Sequence, residues 1–168
     1  MFAMSTPLII IRGNSASGKT TLAHALQQQL GPHAFLISQD VIRRETLHVR
    51  DTANNPAIDL MAQLALDQRD HATAVILEGI LASSRYRAML LQLRRQFDQT
   101  HCYYFDLPRS TTLVRHLTRP QRFQFGPTAL NRWWLDHDQL GWLHEHSFTA
   151  ADTLASELAQ IQSDLTVK

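Results

Sequence analysis

One cysteine, Cys102, stands among the 168 residues of the chain. A lone thiol excludes an internal disulfide and with it the disulfide-held secreted scaffolds. It lies in an apolar run, His101–Asp106, and reads as a small core residue of a protein kept in a reducing compartment. No apolar run approaches the roughly 20 residues that span a bilayer, and Met1–Pro7 is too short and mixed for a secretory signal. An excess of charge is also missing. Sixteen Lys and Arg face fifteen Asp and Glu, a formal net charge of +1, so no strongly basic face is imposed and charge gives a nucleic-acid partner no support. Internal repeats, low-complexity tracts and linkers are absent. The nine histidines are scattered, and His144 and His146 have no third or fourth ligand near them, which argues against zinc. The expectation is a soluble, cytoplasmic protein without a membrane partner. Its length suits one compact α/β domain over residues 1–168 and is too short for two.

The informative stretch is Gly13-Asn14-Ser15-Ala16-Ser17-Gly18-Lys19-Thr20, which reads G-x-x-x-x-G-K-T. Before it runs Leu8–Ile11, a β-branched apolar run with the look of a buried strand. After it, Thr21–Leu30 has helical spacing and stops at Gly31-Pro32. This is the strand–loop–helix context that a phosphate-binding P-loop requires. Gly13 and Gly18 let the backbone curl so that successive N–H groups point inward at a polyphosphate. The following helix brings its positive end to the same point. Lys19 can reach the β- and γ-phosphates, and the Thr20 hydroxyl is placed to ligate Mg²⁺. Residues 13–21, Thr21 included, are therefore the expected ATP contacts. Ala16 stands where many kinases carry another glycine, and its small size predicts no clash.

Further strands are expected at Ala34–Ser38, Thr73–Leu77 and His101–Asp106, with a short fifth near His146–Phe148. Asp40 follows the second strand, at the mouth of an open parallel sheet where ligands bind; an N-cap for the helix beginning at Val41 is a compatible second role. Arg43 and Arg44 on that helix either face an acceptor pocket or are solvated. A loop over 51–56 leads into a helix starting near Pro56, with Ile58, Met61, Ala62, Ala65 and Leu66 as its core stripe. Glu78-Gly79 follows the third strand. An acid there suits a carboxylate that holds Mg²⁺ through water or contacts the acceptor; a plain loop acid is the other reading. The spacing predicts a helix over about Ser84–Gln99, in which Arg85 is the one arginine near the sheet top. Ser110 is the expected cap of a helix over 111–118.

Arg115 and Arg119 are four apart and share a helix face; Arg122 follows, then the turn Phe125-Gly126-Pro127. Arginines on a segment that can close over a γ-phosphate would neutralise charge and exclude water, so a lid is expected over about 115–127. Pro127 to about Leu143 reads as a helix carrying Leu130, Trp133, Trp134, His137 and Leu140, with the tryptophans as packing residues. Thr149 and Asp152 read as the cap of a last helix that buries Leu154, Leu158, Ile161 and Leu165.

The pieces GNSASGKT at 13–20, SQD at 38–40, LEG at 77–79 and RHLTR at 115–119 with the FGP turn occur in this order over essentially the whole chain. The chain resembles the small P-loop kinases of the nucleoside-monophosphate-kinase-like group, and within it bacterial kinases related to zeta toxins, chloramphenicol phosphotransferase and polynucleotide kinase. The resemblance implies a three-layer P-loop fold with a five-stranded parallel sheet of order 2-3-1-4-5, helices on both faces and an arginine-bearing lid. It implies that Lys19, Asp40, Arg115 and Arg119 carry the chemistry, with Asp40 acting on the acceptor hydroxyl. Many relatives have Asp where this chain has Glu78. The expected reaction is transfer of the γ-phosphoryl group of Mg·ATP to a hydroxyl of a small molecule such as a nucleoside, sugar or antibiotic, with Asp40, Arg43, Arg44 and Glu78 on the acceptor side. Two other classes are weighed beside it: a polynucleotide 5′-hydroxyl kinase, and a nucleotide-gated binding protein without turnover.

Overall fold

Leu8–Ile11 forms the middle of the sheet in the computed structural model, which describes residues 5–118, 120 and 126–167. Strand β1 (Leu8–Gly13) is buried at every position. It pairs in parallel with β3 (Ala74–Gly79) on one side and β4 (Thr100–Phe105) on the other. β2 (Ala34–Ser38) and β5 (Glu145–Phe148) add the outer strands, also in parallel, giving the order 2-3-1-4-5. β1 is apolar without a break over Leu8–Ile11 because both sheet faces are covered, the rule for parallel sheets.

Its residues divide by the two-residue strand period. Leu8 and Ile10 join Met61, Val75, Leu77 and Leu90 in one core, under α2 (Pro56–Gln68) and α3 (Ser83–Gln96). Ile9 and Ile11 join Leu22, Leu26, Ile76 and Ile161 in the other, under α1 (Lys19–Leu30) and α6 (Leu154–Thr166). Each such side chain, fully buried, contributes about 1.5–3 kcal/mol. Cys102 lies in the first core, and burial pushes its thiol pKa well up, with Glu145 adding to the effect.

Several local expectations are corrected. Val41–Thr46 is a π-helical turn, and Asp40 before it makes no side-chain cap bond. α4 (Arg109–Leu117) starts at Pro108, whose carbonyl takes Thr111 N–H and Thr112 N–H; Ser110 is therefore inside the helix and caps nothing. α5 (Pro127–Trp133) ends ten residues before Leu143. The chain cannot continue as a helix there, because the Leu135 N–H and C=O are both taken by the Asn14 side chain and His137 has φ of +43°. The cap of α6 is Thr153 with Ser156, in a reciprocal capping box, while Thr149 and Asp152 close the turn before it. Leu154 is exposed, and only Ile161 of the expected apolar set is fully buried. Arg119 and Arg122 of the expected lid lie outside the described residues.

Candidate active site

The P-loop leaves β1 at Gly13 and enters α1 at Lys19, so its position is set by the central strand. Gly13, Ala16 and Gly18 have φ of +144°, +61° and +112°. A side chain at Gly13 would put its Cβ 2.9 Å from Phe105 Cβ, so the loop is seated on the end of β4. Ala16 does fit, but in a left-handed conformation, which explains why a glycine is at home there; the methyl group costs about 1–2 kcal/mol of backbone strain. The Lys19 ammonium lies over the loop, donating to the Asn14 carbonyl at 2.6 Å and to Ser17 Oγ at 3.3 Å. Arg115, on α4, reaches the same loop and donates to the Ser17 carbonyl at 2.6 Å.

Glu78 is the penultimate residue of β3, in register with Ile11 of β1 and with Ser38 of β2. It is 3% exposed, and its carboxylate accepts a 2.5 Å bond from Ser38 Oγ. The Thr20 hydroxyl lies 3.4 and 3.5 Å from its two oxygens. A buried carboxylate and a hydroxyl side by side at a phosphate loop are hard oxygen donors, the kind that Mg²⁺ takes. The donor set therefore fits the metal that accompanies a nucleoside triphosphate, with Thr20 and Glu78 as the residues that would hold it.

Asp40 lies two residues beyond β2 at the same end of the sheet. Its side chain is 63% exposed, and one oxygen, Oδ1, meets both Arg43 Nη2 at 3.1 Å and Arg44 Nε at 3.3 Å. The π-helical turn brings the two guanidiniums back onto one carboxylate. Arg43 is also anchored to the Val49 carbonyl at 3.1 Å, and the Arg44 guanidinium sits 5.9 Å from the ring centre of Trp133 on α5. Trp133 is 40% exposed and has one side towards this cluster, and it also lines a narrow cleft with Leu113 and Leu130. Arg85, expected near the sheet top, is paired with Asp51 at 2.9 Å.

Behind these groups are residues that motif reading did not single out. Gln39 is buried and covers Gly79, where a Cβ would fall 2.3 Å from its Oε1. Gln39 bonds the Tyr86 hydroxyl at 2.8 Å and accepts from Leu81 N–H, while Tyr86 donates to Asp51 at 2.6 Å. Burial first, and then Asp51, push the Tyr86 pKa up to about 12. Arg12, next to the P-loop, is fully buried; it pairs with Glu145 at 2.7 Å and Asp138 at 3.0 Å and donates to the Leu81 carbonyl. A charged residue closing an apolar strand was the available signal for Arg12, but its two carboxylate partners are more than 120 residues away.

A cavity of about 430 Å³ opens beside the phosphate loop. Its walls include Lys19, Thr20, Thr21, Arg115, Thr153 and Glu157, so α6 and the turn before it form a side of the site that no motif marks. Among the described residues no group of three or more His, Cys, Asp or Glu could hold a metal on its own. No helix of the described residues is long and apolar enough to cross a membrane.

The chain belongs to the AAA_33 family, an AAA domain, whose model matches residues 8–133. Its fold is similar to that of the APS kinase CysC of Mycobacterium tuberculosis, with a TM-score of 0.75, 14% identity and coverage of 98% of this chain and 100% of that one. It is also similar to a gluconokinase from Sinorhizobium meliloti 1021 (TM-score 0.68, 18% identity, 95% of each chain). A third likeness is to the tunicamycin resistance protein of Deinococcus radiodurans (TM-score 0.63, 20% identity, 97% of each chain). At these identities the likeness is one of fold, and the fold is that of the small P-loop kinases. No curated protein matches the sequence at a significant level.

Proposed function

We propose that the chain, as one kinase domain over 1–168, transfers the γ-phosphoryl group of ATP to a hydroxyl of a small molecule. The observation that carries this reading is the placement of Asp40 at the sheet end that also holds Lys19, Thr20 and Glu78, with Oδ1 of Asp40 fixed by two arginines. The two ion pairs use one oxygen, which leaves Oδ2 for an acceptor hydroxyl. Similar folds in a gluconokinase and an APS kinase agree with this class of reaction.

In the proposed reaction the nucleotide lies in the cavity between the P-loop, Arg115 and Glu157, with its phosphates in the loop. Bound Mg²⁺ supplies positive charge to the phosphates, and Thr20 and Glu78 would hold it. Lys19 leaves the Asn14 carbonyl and turns its ammonium to the β- and γ-phosphates. Asp40 hydrogen-bonds the acceptor hydroxyl and orients its oxygen in line with the γ-phosphorus. The new O–P bond forms as the bond from γ-phosphorus to the β–γ bridging oxygen breaks; ADP leaves, and the hydroxyl proton passes to Asp40 and then to solvent. Arg115 and Arg119 act as the lid arginines that neutralise the transferring group.

Substitution of Asp40 by Asn tests the assignment. It is expected to lower kcat by about 10²–10⁴-fold while ATP binding, followed by calorimetry, is retained. Near-native turnover of the Asn variant would remove Asp40 from the chemistry.

A further inference from the structure

Two residues on one face of α6 invert the usual rule of burial. Leu154 is 39% exposed although it is apolar, and Glu157, three positions on, is 7% exposed although it is charged. Both line the cavity of about 430 Å³ beside the P-loop. Among the described residues the Glu157 carboxylate accepts no hydrogen bond and forms no ion pair. Arg115 draws on it through space, but Nη1 of that guanidinium is committed to the Ser17 carbonyl at 2.6 Å. Burial raises the Glu157 pKa, so the water that the carboxylate lost is not replaced by protein donors. The helix dipole favours an acid in a first turn, yet a solvated acid would serve that purpose.

The other polar groups of this wall are occupied. Asp152 accepts from the N–H and the hydroxyl of Thr149 at 2.7 and 3.0 Å. Thr153 Oγ1 accepts from Ser156 N–H at 3.2 Å, and the Thr118 hydroxyl donates to the Arg115 carbonyl at 2.9 Å. Glu157 is therefore the acceptor that this wall holds for a ligand. The opposite wall is the phosphate loop with Lys19 and Thr20. A compound that satisfies both walls has an anionic end for Lys19, an N–H donor for Glu157 and a flat apolar part to cover Leu154.

We infer that Glu157 selects the base of the phosphoryl donor, by accepting a hydrogen bond from the exocyclic amino group of a purine whose ring lies on Leu154. This rests on the kinase reading above, which seats the nucleotide in this cavity, and it names the residue that discriminates among nucleotides. In ATP the donor is the 6-amino group of adenine; a guanine nucleotide would offer its 2-amino group. A purine without the amino group leaves the carboxylate buried and unpaired, and that loss sets the size of the discrimination.

The test compares two matched pairs as magnesium complexes, with affinity read by calorimetry. ATP is set against purine riboside 5′-triphosphate, which lacks only the 6-amino group. GTP is set against ITP, which lacks only the 2-amino group. In at least one pair the amino member is expected to bind more tightly by roughly 10- to 150-fold, the value of a hydrogen bond to a charged group; the pair that responds names the base. Glu157→Leu is expected to bring that ratio close to one. Glu157→Gln is expected to leave an intermediate ratio, because its amide carbonyl still accepts but carries no charge. Equal affinities within both pairs would overturn the inference, and so would a ratio that Glu157→Leu leaves unchanged. If the Leu variant does not fold, an unchanged ratio in Glu157→Gln overturns it instead. Because the pairs are read by binding, a lack of acceptor-dependent ADP release would defeat the kinase reading without touching Glu157. Failure of the folded parent chain to bind any of the four nucleotides would overturn both.

Discussion

Arg12 and Glu145, 133 positions apart in sequence, form a 2.7 Å ion pair directly behind the P-loop. The arginine is fully buried and the glutamate side chain is 3% exposed. Asp138 completes the group at 3.0 Å, and it also accepts from the backbone and hydroxyl of Ser83. One side chain at the end of the central strand thereby holds the segment after β3 and the segment before β5. Removing the cation strands two carboxylates in a place with little water. Arg12→Met is expected to destabilise the fold by about 3–5 kcal/mol, measured by urea unfolding. A loss below about 1 kcal/mol would mean that the carboxylates find solvent easily and that the group is not a structural clamp.

Gly79 gives a second stability test. A methyl group there would fall 2.3 Å from Gln39 Oε1 and 2.5 Å from Gln39 Cβ. Gln39 is buried and bonded to Tyr86 and Leu81, so it cannot step aside without breaking those bonds. Gly79→Ala is expected to cost about 1–3 kcal/mol. Adding Gln39→Gly, which removes the Cβ as well as the amide, should make the Gly79→Ala change cost less than it does in the parent chain, and unfolding of both single variants and the double variant checks this coupling.

The wall of the cavity beside the P-loop offers a pH test. Glu157 lines it, and burial, reinforced by Asp152, raises its pKa above the ordinary glutamate value, against a lowering by Arg115. A raised folded-state pKa means that the folded chain holds this proton more tightly than the unfolded one. Its contribution to stability is therefore fully present below the unfolded pKa and is lost as pH rises through the folded pKa. Glu157→Gln should be more stable than the parent chain at neutral pH, with the difference shrinking on acidification through the glutamate range. Thermal melts of both proteins across that range give the comparison. A variant that is less stable at neutral pH would show that the ionised carboxylate is held favourably, by Arg115.

The sheet and the phosphate loop were legible because each rests on local sequence. Leu8–Ile11 is an apolar run with β-branched residues, and the glycines at 13 and 18 occupy left-handed positions that restrict what can stand there. Glu78 and Asp40 were singled out by their places after apolar runs, and the structure sets both at the same end of the sheet. What local sequence missed depends on long-range contacts. The run from Pro127 to Leu143 has helical spacing throughout, yet it breaks after Trp133 because Asn14 takes both polar groups of the Leu135 backbone. Nothing near residue 135 in sequence announces a partner at residue 14. The roles of Arg12, Gln39 and Tyr86 were hidden for the same reason, and so was the contact of Trp133 with Arg44, which lies 89 positions earlier in sequence. The cavity wall at Thr153 and Glu157 carries no motif, and it meets the P-loop only through the fold, since α6 lies more than 130 residues later in sequence.

The most direct test of the central claim is ADP release from Mg·ATP by the parent chain and by Lys19→Ala, across pooled hydroxyl acceptors of the carboxylate, phosphate and neutral classes. Lys19 is 7% exposed and spans the loop that would hold the phosphates. The account predicts release that depends on an acceptor and falls by about 10²–10³-fold in the variant. Tight ATP binding with no acceptor-dependent release from any pool, and no difference between the two proteins, would contradict a kinase and favour a nucleotide-gated binding protein.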